Sequence, residues 1–268
     1  MTKALPRIGG STFSFVWRDQ ALPAMRRMAM IGLDDFDVLL APGHLWFETS
    51  SAERGALRRQ IEADGLRIES LNLPALDHNL CSVVPEVRAR TVEVYAEAIR
   101  LAADLGAKGV VVVPGRVSGL LAPPHKESVA HLTDGAAALL DVARASGCRL
   151  FFEAHPQTPL PTADALGAWV EQFATPLASI AYDVANAEFI GEDQVAAIAR
   201  WGRLIGQYHL SDATRTSWRH DAIGSGTVRF GQILEAIGTG GFPGVAILEI
   251  ISTDPIKDMR AGLGALVG

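Results

Sequence analysis

The sequence alternates between short apolar runs and longer amphipathic stretches, and this alternation constrains the fold more than any other feature. The runs predicted to be strands are 7–12, 35–40, 66–72, 109–114, 149–154, 178–183, 204–210 and 245–250. The stretches predicted to be helices lie near 18–31, 51–63, 85–105, 127–146, 162–174, 191–202, 229–238 and 254–265. Such alternation is typical of a parallel sheet whose strands are connected by helices.

Eight strand–helix units in a chain of 268 residues predict a single α/β domain over 1–268, a closed (β/α)8 TIM barrel. The run GVVVV at 109–113 fits a parallel strand that is buried on both faces. The alternative is an open, doubly wound sheet, which a glycine-rich phosphate turn after the first strand would favour. Gly9 and Gly10 lie inside the first predicted strand and form no such motif. The barrel is therefore the favoured fold.

Charge and composition narrow the class of partner. The chain has 24 Lys and Arg against 30 Asp and Glu, a net charge of −6, which disfavours nucleic acid because phosphate binding requires positive surface. No stretch approaches the roughly 18 uncharged apolar residues of a membrane helix. The N-terminus lacks the apolar segment of a secretory signal, and the two cysteines show no disulfide framework or zinc-site spacing. We therefore expect a cytoplasmic protein that binds a small molecule.

Four consecutive predicted strands each end in a residue that can bind a metal ion. In a barrel, the C-terminal strand ends meet around one mouth, where such folds place their chemistry. Three carboxylates gathered there would repel one another and raise one another's pKa values unless a cation neutralised them. We therefore predict one bound divalent metal ion and no organic cofactor. The predicted metal ligands are Glu153, Asp183, His209 and Glu249.

The types of ligand bear on which metal is bound. Three carboxylates and one imidazole suit Mn²⁺, Mg²⁺, Co²⁺ or Zn²⁺. Mn²⁺ is favoured because zinc prefers a larger share of nitrogen and sulfur ligands. Taken singly, an acidic residue at a strand end is more often a capping group, and a lone histidine is more often an interior residue. The pattern of four favours the metal site.

The segments around these residues resemble the xylose-isomerase-like barrel superfamily. This group of sugar-phosphate isomerases and epimerases includes ketose 3-epimerases, hydroxypyruvate isomerases and inosose dehydratases. The resemblance is carried by FFEAH at 151–155, AYDVAN at 181–186, YHLSD at 208–212 and ILEI at 247–250. It extends to 79–115, which is similar to the family's long third helix and fourth strand, and to HDAIGSGTVRF at 220–230. It therefore covers nearly the whole chain.

The resemblance implies a metal-dependent isomerase or epimerase of a small sugar, polyol or hydroxy-keto compound. In the family, the metal holds a carbonyl and a neighbouring hydroxyl oxygen and acidifies the C–H bond beside them. Glu153 and Glu249 would then be catalytic residues as well as ligands and would flank the reacting carbon from opposite faces. One would remove a proton to give a metal-stabilised enediolate, and the other would return one. Family members often form homodimers or homotetramers, and either assembly fits the resemblance.

Only some of the family's substrate-contacting residues have a matching residue in this sequence. Arg215 matches an arginine that contacts a substrate oxygen near the metal. Asn186 stands where ketose epimerases usually carry a histidine, and Pro159 stands where many carry a second glutamate. Both departures weaken the assignment as a ketose 3-epimerase. The full set of predicted substrate contacts is Arg215, His155, Asn186, His220, Trp17, His44 and Trp46, the tryptophans as apolar walls for sugar C–H groups.

Three alternatives stay open. A metal-dependent lyase of the inosose dehydratase type would use the same site but expel a hydroxyl group. An apurinic-site endonuclease shares the barrel but needs extra histidines after the third and fourth strands. Here the fourth strand ends in Val113, Pro114 and Gly115, without a histidine. Trp218 also stands where those enzymes carry an aspartate. A non-catalytic binding barrel would have no need of two facing glutamates.

Overall fold

The computed structural model describes residues 5–74, 77–117 and 119–267, and within them the strands form a closed parallel barrel. The strands are β1 (Arg7–Ser11), β2 (Asp35–Leu39), β3 (Arg67–Asn72), β4 (Gly109–Val112), β5 (Arg149–Glu153), β6 (Ala178–Asp183), β7 (Ile205–Leu210), β8 (Asp212–Thr214), β9 (Ser217–Asp221) and β10 (Val245–Leu248). Around the barrel their order is β1-β10-β7-β6-β5-β4-β3-β2, and β8 pairs with β9 as a separate antiparallel hairpin.

Helices cover the outside of the barrel. They are α1 (Ala21–Ala29), α2 (Ser51–Ala63), α3 (Pro85–Leu105), α4 (His125–Ser146), α5 (Ala163–Glu171), α6 (Val184–Ile190), α7 (Gln194–Trp201), α8 (Phe230–Thr239) and α9 (Pro255–Val267), and a 3-10 turn lies at Phe13–Phe15. Among the residues described, no helix combines the length and the apolar character that a membrane crossing requires.

The predicted barrel is confirmed, because each of the eight predicted strands is a barrel strand with ends within two residues of the prediction. The closed sheet excludes the open doubly wound alternative. Helix α6 was not predicted. It starts directly at the end of β6, where Asp183 both ends the strand and caps the helix by accepting a hydrogen bond from the backbone N–H of Asn186 at 2.7 Å. Seven residues are too few to show a helical period in the sequence.

The hairpin β8–β9 was also absent from the predicted elements. It lies directly after β7, and the carboxylate of Asp212 fixes its flanks by accepting hydrogen bonds from the backbone N–H groups of Gly224 at 2.8 Å and Val228 at 3.1 Å. The backbone N–H of Ile251, which follows β10, donates to the carbonyl of His220 at 2.7 Å. These contacts fold the hairpin back over the mouth of the barrel.

The main apolar core lies between the strands and the helices, where Phe152 of β5 packs edge-on against Trp169 of α5 with ring centroids 4.9 Å apart. Alternate side chains of each strand face the lumen instead. There Val111, Phe151 and Ala181 form a small apolar cluster contributed by β4, β5 and β6. This cluster is an apolar floor beneath the ends of β5 and β6.

Polar side chains occupy the other side of the lumen. The amide Nε2 of Gln207 on β7 donates across the barrel to the hydroxyl of Ser70 on β3 at 2.8 Å. Ser70 in turn donates to the fully buried carboxylate of Asp37 at 2.5 Å, which also accepts from Asn72 at 3.1 Å and Ser11 at 3.4 Å. Burial raises the pKa of Asp37 to about 6. The lumen therefore holds a hydrogen-bonded network that ties β1, β2, β3 and β7 together.

Candidate metal centre and active site

Three carboxylates and one imidazole meet at the C-terminal ends of β5, β6, β7 and β10. These four strands are consecutive neighbours in the barrel, and Asp183 of β6 is paired in register with His209 of β7. Each side chain offers one ligand atom, and the four atoms lie within 4.8 Å of one another. The four residues, which form the acidic centre, are Glu153, Asp183, His209 and Glu249.

His209 lies among the three carboxylates. Its Nδ1 atom is 3.4 Å from Oε2 of Glu249, 3.9 Å from Oε1 of Glu153 and 3.9 Å from Oδ2 of Asp183. All four residues are buried, with exposed fractions between 0% for His209 and 6% for Glu153. Charges this close together and shielded from solvent interact more strongly than they would at the surface, because the effective dielectric constant is lower.

The surroundings move the pKa values of these groups in different directions. Burial raises the pKa of Glu153 to about 8, helped by the charges of Glu249 and Asp183. Burial also raises the pKa of Asp183 to about 6. Burial lowers the pKa of His209, but the neighbouring carboxylates outweigh that effect and raise it well above its usual value. Burial favours the neutral form of Glu249 too, yet the facing imidazoles of His209 and His220 lower its pKa overall.

The acidic centre fits a divalent cation. Within the described part of the chain, Oδ2 of Asp183 and both ring nitrogens of His209 are buried without any hydrogen-bond partner. Buried polar atoms normally have partners, and leaving them unpaired costs free energy. A cation among the four residues would bind Oδ2 of Asp183 and one ring nitrogen of His209, and it would neutralise the mutual repulsion of the carboxylates. Oxygen donors with one imidazole are ligands that such cations accept.

His220 joins the acidic centre from the hairpin. Its Nδ1 atom is 3.3 Å from Oε2 of Glu249, 3.5 Å from Oδ2 of Asp183 and 3.1 Å from the hydroxyl of Ser211. Burial lowers the pKa of His220, but Asp183 and Glu249 outweigh it and bring the pKa to about 9. The sequence predicted His220 as a substrate contact, and the structure places it against two of the predicted metal ligands.

Asn186 and His155 also border the acidic centre. The amide nitrogen of Asn186 donates to Oε1 of Glu153 and to the carbonyl of Ala154, both at 3.2 Å, and its amide oxygen accepts from the indole of Trp218 at 2.7 Å. The ring of His155 packs edge-on against Trp218 with centroids 4.7 Å apart. Burial and the nearby positive charges of His220 and Arg116 lower the pKa of His155 to about 4, so its ring is neutral at neutral pH.

The sequence places the chain in a known family. Residues 25–267 match the family described as "Xylose isomerase-like TIM barrel", which is most of the chain. The chain belongs to the xylose isomerase-like TIM barrel family. No curated protein sequence matches this xylose isomerase-like barrel.

Solved structures similar to this xylose isomerase-like barrel include several epimerases. A D-tagatose 3-epimerase-like protein is 22% identical, with a TM-score of 0.84 and 97% of each chain covered. An L-ribulose 3-epimerase is 21% identical, with a TM-score of 0.81, covering 98% of this chain and 95% of that one. A 3-keto-D-glucoside 4-epimerase from E. coli is 18% identical, with a TM-score of 0.79, covering 98% and 99% respectively. At these identities the likeness establishes a shared fold.

In this xylose isomerase-like barrel, Arg215 lies at the exposed turn between β8 and β9. Its guanidinium lies beside Gly191, at the end of α6, and the residue lines a groove between α7 and α8. The structure therefore places Arg215 at the outer side of the hairpin. Its contact with a substrate stays a prediction.

Three further predicted contacts lie in loops after β1 and β2. His44 is buried, with Nδ1 2.5 Å from the carbonyl of Asp19 and Nε2 3.0 Å from the hydroxyl of Thr12. Both ring nitrogens are therefore hydrogen-bonded within the protein. His44 and Trp46 line a groove between α1 and α2. Trp17 is 79% exposed. None of these contacts ties the three residues to the acidic centre, and their role in substrate binding stays a prediction.

Trp218 borders the acidic centre but is not among the substrate contacts that the sequence predicts, where it only marks a difference from apurinic-site endonucleases. Trp218 and His220 are two residues apart on β9, a spacing that places side chains on one face of a strand. Recognising β9 as a strand would have placed Trp218 beside the acidic centre. The segment TSWRHD at 216–221 shows no regular alternation of apolar and polar residues, so the sequence gives only a weak indication of strand β9.

Proposed function

We propose that the chain is a cytoplasmic, divalent-metal-dependent isomerase or epimerase of carbohydrate metabolism that acts on a small sugar, polyol or hydroxy-keto compound. The observation that carries the proposal is the acidic centre, which brings Glu153 and Glu249 together with Asp183 and His209 in a single buried site. Two of the similar solved structures, a D-tagatose 3-epimerase-like protein and an L-ribulose 3-epimerase, support a sugar-like substrate.

Mn²⁺ is the proposed metal, held by the four residues of the acidic centre. When bound, a divalent cation there polarises a carbonyl oxygen and acidifies the neighbouring C–H bond. The carboxylate majority among the ligands favours Mn²⁺ over Zn²⁺. Mg²⁺ and Co²⁺ accept the same donors, so the metal content of the purified protein decides among them.

Glu153 and Glu249 are proposed to move the protons. They stand at the two ends of the arc formed by β5, β6, β7 and β10, with Asp183 and His209 between them. A substrate carbon over the acidic centre would lie between the two glutamates. One carboxylate can then remove a proton from one face of that carbon while the other delivers a proton to the opposite face. Inversion of a carbon centre requires this two-sided arrangement.

His220, His155 and Asn186 border the acidic centre and are the proposed polar surroundings of the substrate. His220 lies within ion-pair distance of both Glu249 and Asp183. The neutral ring of His155 can offer a hydrogen bond to a hydroxyl group. The proposed assembly is a homodimer or a homotetramer, which light scattering of the purified protein tests.

The proposal is tested by hydrogen exchange in D₂O. Protein loaded with Mn²⁺ is incubated with a panel of ketoses, inososes and hydroxypyruvate, and NMR follows the C–H next to each carbonyl. We expect exchange with the wild-type protein and none with Glu153→Gln or Glu249→Gln, because either change removes one of the two proton carriers. Glu93→Gln, on the exposed face of α3, is the matched control and should keep full exchange.

Exchange that persists in both active-site variants contradicts the two-glutamate reaction. Mass spectrometry of the same products separates two reaction classes. An isomerase or epimerase leaves the mass of the substrate unchanged, whereas a lyase of the dehydratase type removes one water molecule.

A further inference from the structure

The side chain of Asn186 links Trp218 to Glu153. On one side its oxygen is 2.7 Å from Nε1 of Trp218, and on the other its nitrogen is 3.2 Å from Oε1 of Glu153 and 3.2 Å from the carbonyl of Ala154. Asn186 is 2% exposed, so water cannot replace these partners. The three contacts use both ends of the amide.

The indole of Trp218 dictates which way this amide faces. An indole nitrogen only donates hydrogen bonds, so the atom of Asn186 beside it must be the amide oxygen. The amide nitrogen then faces the carbonyl of Ala154 and Oε1 of Glu153, and both of these accept. The reversed amide would set donor against donor at Trp218 and acceptor against acceptor at Ala154 and Glu153. Buried mismatches of this kind are strongly unfavourable.

Trp218 is itself fixed by aromatic contacts. Its ring packs edge-on against His155 and stacks on Phe189 of α6 with ring centroids 5.9 Å apart and an angle of 21° between the planes. Strand β9 holds its backbone. The direction of the indole N–H is therefore set by packing before any substrate is present.

We propose that Trp218 and Asn186 are positioning residues that fix the rotation of the Glu153 carboxylate, with Trp218 acting through Asn186. The inference rests on the proposed function, in which Glu153 both holds the metal and moves a proton. By donating to Oε1, Asn186 keeps that oxygen as an acceptor and prevents the carboxylate from turning away from the acidic centre. Neither Trp218 nor Asn186 exchanges a proton with the substrate.

The test compares two variants with a matched control. Trp218→Phe keeps an aromatic ring against His155 and Phe189 but removes the N–H, and Asn186→Ala removes the amide. Trp169→Phe is the control, because it also removes one indole hydrogen bond, the one to Thr133 at 2.9 Å. Trp169 lies on α5, away from the acidic centre. For each protein the turnover number, the KM and the Mn²⁺ dissociation constant are measured, and circular dichroism confirms folding.

We expect Asn186→Ala to lower kcat by about 10–100-fold and to weaken Mn²⁺ binding by about 10-fold, as loss of a residue that orients a metal ligand does. Trp218→Phe should lower kcat by about 10-fold with KM changed by less than about twofold, because the substrate-facing groups remain. Trp169→Phe should match the wild type in all three quantities.

The double variant Trp218→Phe/Asn186→Ala tests whether the tryptophan acts through the asparagine. If it does, the double variant has the kcat and Mn²⁺ affinity of Asn186→Ala alone, within about twofold. Losses that multiply show that the two residues act separately and overturn the relay. Variants that behave like Trp169→Phe overturn it as well.

Metal binding separates this inference from the proposed reaction. If the wild type binds Mn²⁺ but turns over no substrate of the panel, a non-additive loss of affinity in the variants supports the relay while the proposed reaction fails. Unchanged affinity in that case overturns the relay. A wild type that neither binds Mn²⁺ nor exchanges hydrogen overturns both.

Discussion

The Nδ1 atom of His220 lies 3.3 Å from Oε2 of Glu249, although His220 belongs to the hairpin and Glu249 follows the last barrel strand. Asp183 lies 3.5 Å from the same nitrogen. Because these carboxylates raise the pKa of His220 to about 9, the imidazole carries a proton at neutral pH. A proton on His220 and a cation in the acidic centre therefore compete for the same two carboxylates.

Metal binding is expected to release protons at pH 7. Glu153, with its pKa raised to about 8, must lose its proton to ligate a cation. The pKa of His220 should fall once a cation neutralises Glu249 and Asp183, because their charges are what raise it. The apparent affinity for Mn²⁺ should therefore rise with pH up to about 9. Calorimetric titrations in two buffers of different ionisation enthalpy measure the proton count. His220→Asn should release fewer protons, and equal heats in both buffers would contradict the prediction.

A bound cation should stabilise the fold. Free Mn²⁺ at 100 times its dissociation constant adds about 2.7 kcal/mol to the free energy of unfolding, provided that the unfolded chain does not bind it. Thermal unfolding with Mn²⁺ and with a chelator measures the difference. Glu249→Gln should show a smaller shift in Tm, because one carboxylate ligand is lost, whereas Glu93→Gln should shift as the wild type does. Equal shifts in all three proteins would place the bound ion elsewhere.

Asp37→Asn should change how stability depends on pH. Burial raises the pKa of Asp37 from its usual value to about 6, so the folded state holds a proton that the unfolded chain releases near pH 4. A raised carboxyl pKa means that the contribution of Asp37 to wild-type stability falls as pH rises from about 4 to about 6.

The variant cannot titrate at this position. Its free energy of unfolding relative to the wild type should therefore increase across the same window, by at most about 3 kcal/mol. Urea unfolding of both proteins between pH 4 and 7, with a chelator present, measures this difference. A difference that stays constant with pH would show that Asp37 does not titrate there.

Gly206→Ala should destabilise the barrel. A Cβ atom at Gly206 would lie 2.8 Å from the ring of Phe151 and 2.8 Å from the Cβ of Ser179, so one of them must move. Overpacking of this kind costs about 1–3 kcal/mol. Gly231→Ala is the control, because Gly231 lies in α8 with open space around it and alanine favours helices. Chemical unfolding distinguishes the two, and equal stabilities would show that the lumen can relax.

The barrel and the meeting of the four residues of the acidic centre could be predicted because both depend on local patterns. Runs such as GVVVV at 109–113 mark buried parallel strands, and the topology then brings their ends together without further information. Glu153, Asp183, His209 and Glu249 each stand at a strand end, so their meeting follows from the fold. The pattern of alternation was enough to place all four.

The surroundings of the acidic centre could not be predicted in the same way, because they depend on contacts between distant residues. Arg215 and His220 lie on one short hairpin, yet one lines an outer groove and the other contacts Glu249. The hydrogen bond of Trp218 to Asn186 joins residues 32 positions apart. Nothing in the sequence indicates that Asp37 is buried and accepts hydrogen bonds from Ser70 and Asn72.

In the part of the chain that the structure describes, strands β8 and β9 form sheet hydrogen bonds only with each other and not with the barrel strands that carry the acidic centre. It nevertheless brings Trp218 and His220 to the site, and Asp212 closes the segment onto its own flanks. Loops of this kind accept changes in length and sequence more readily than the scaffold beneath them. The proposed proton carriers, Glu153 and Glu249, therefore belong to the barrel scaffold, whereas His220, one of the proposed substrate contacts, belongs to a segment that tolerates change.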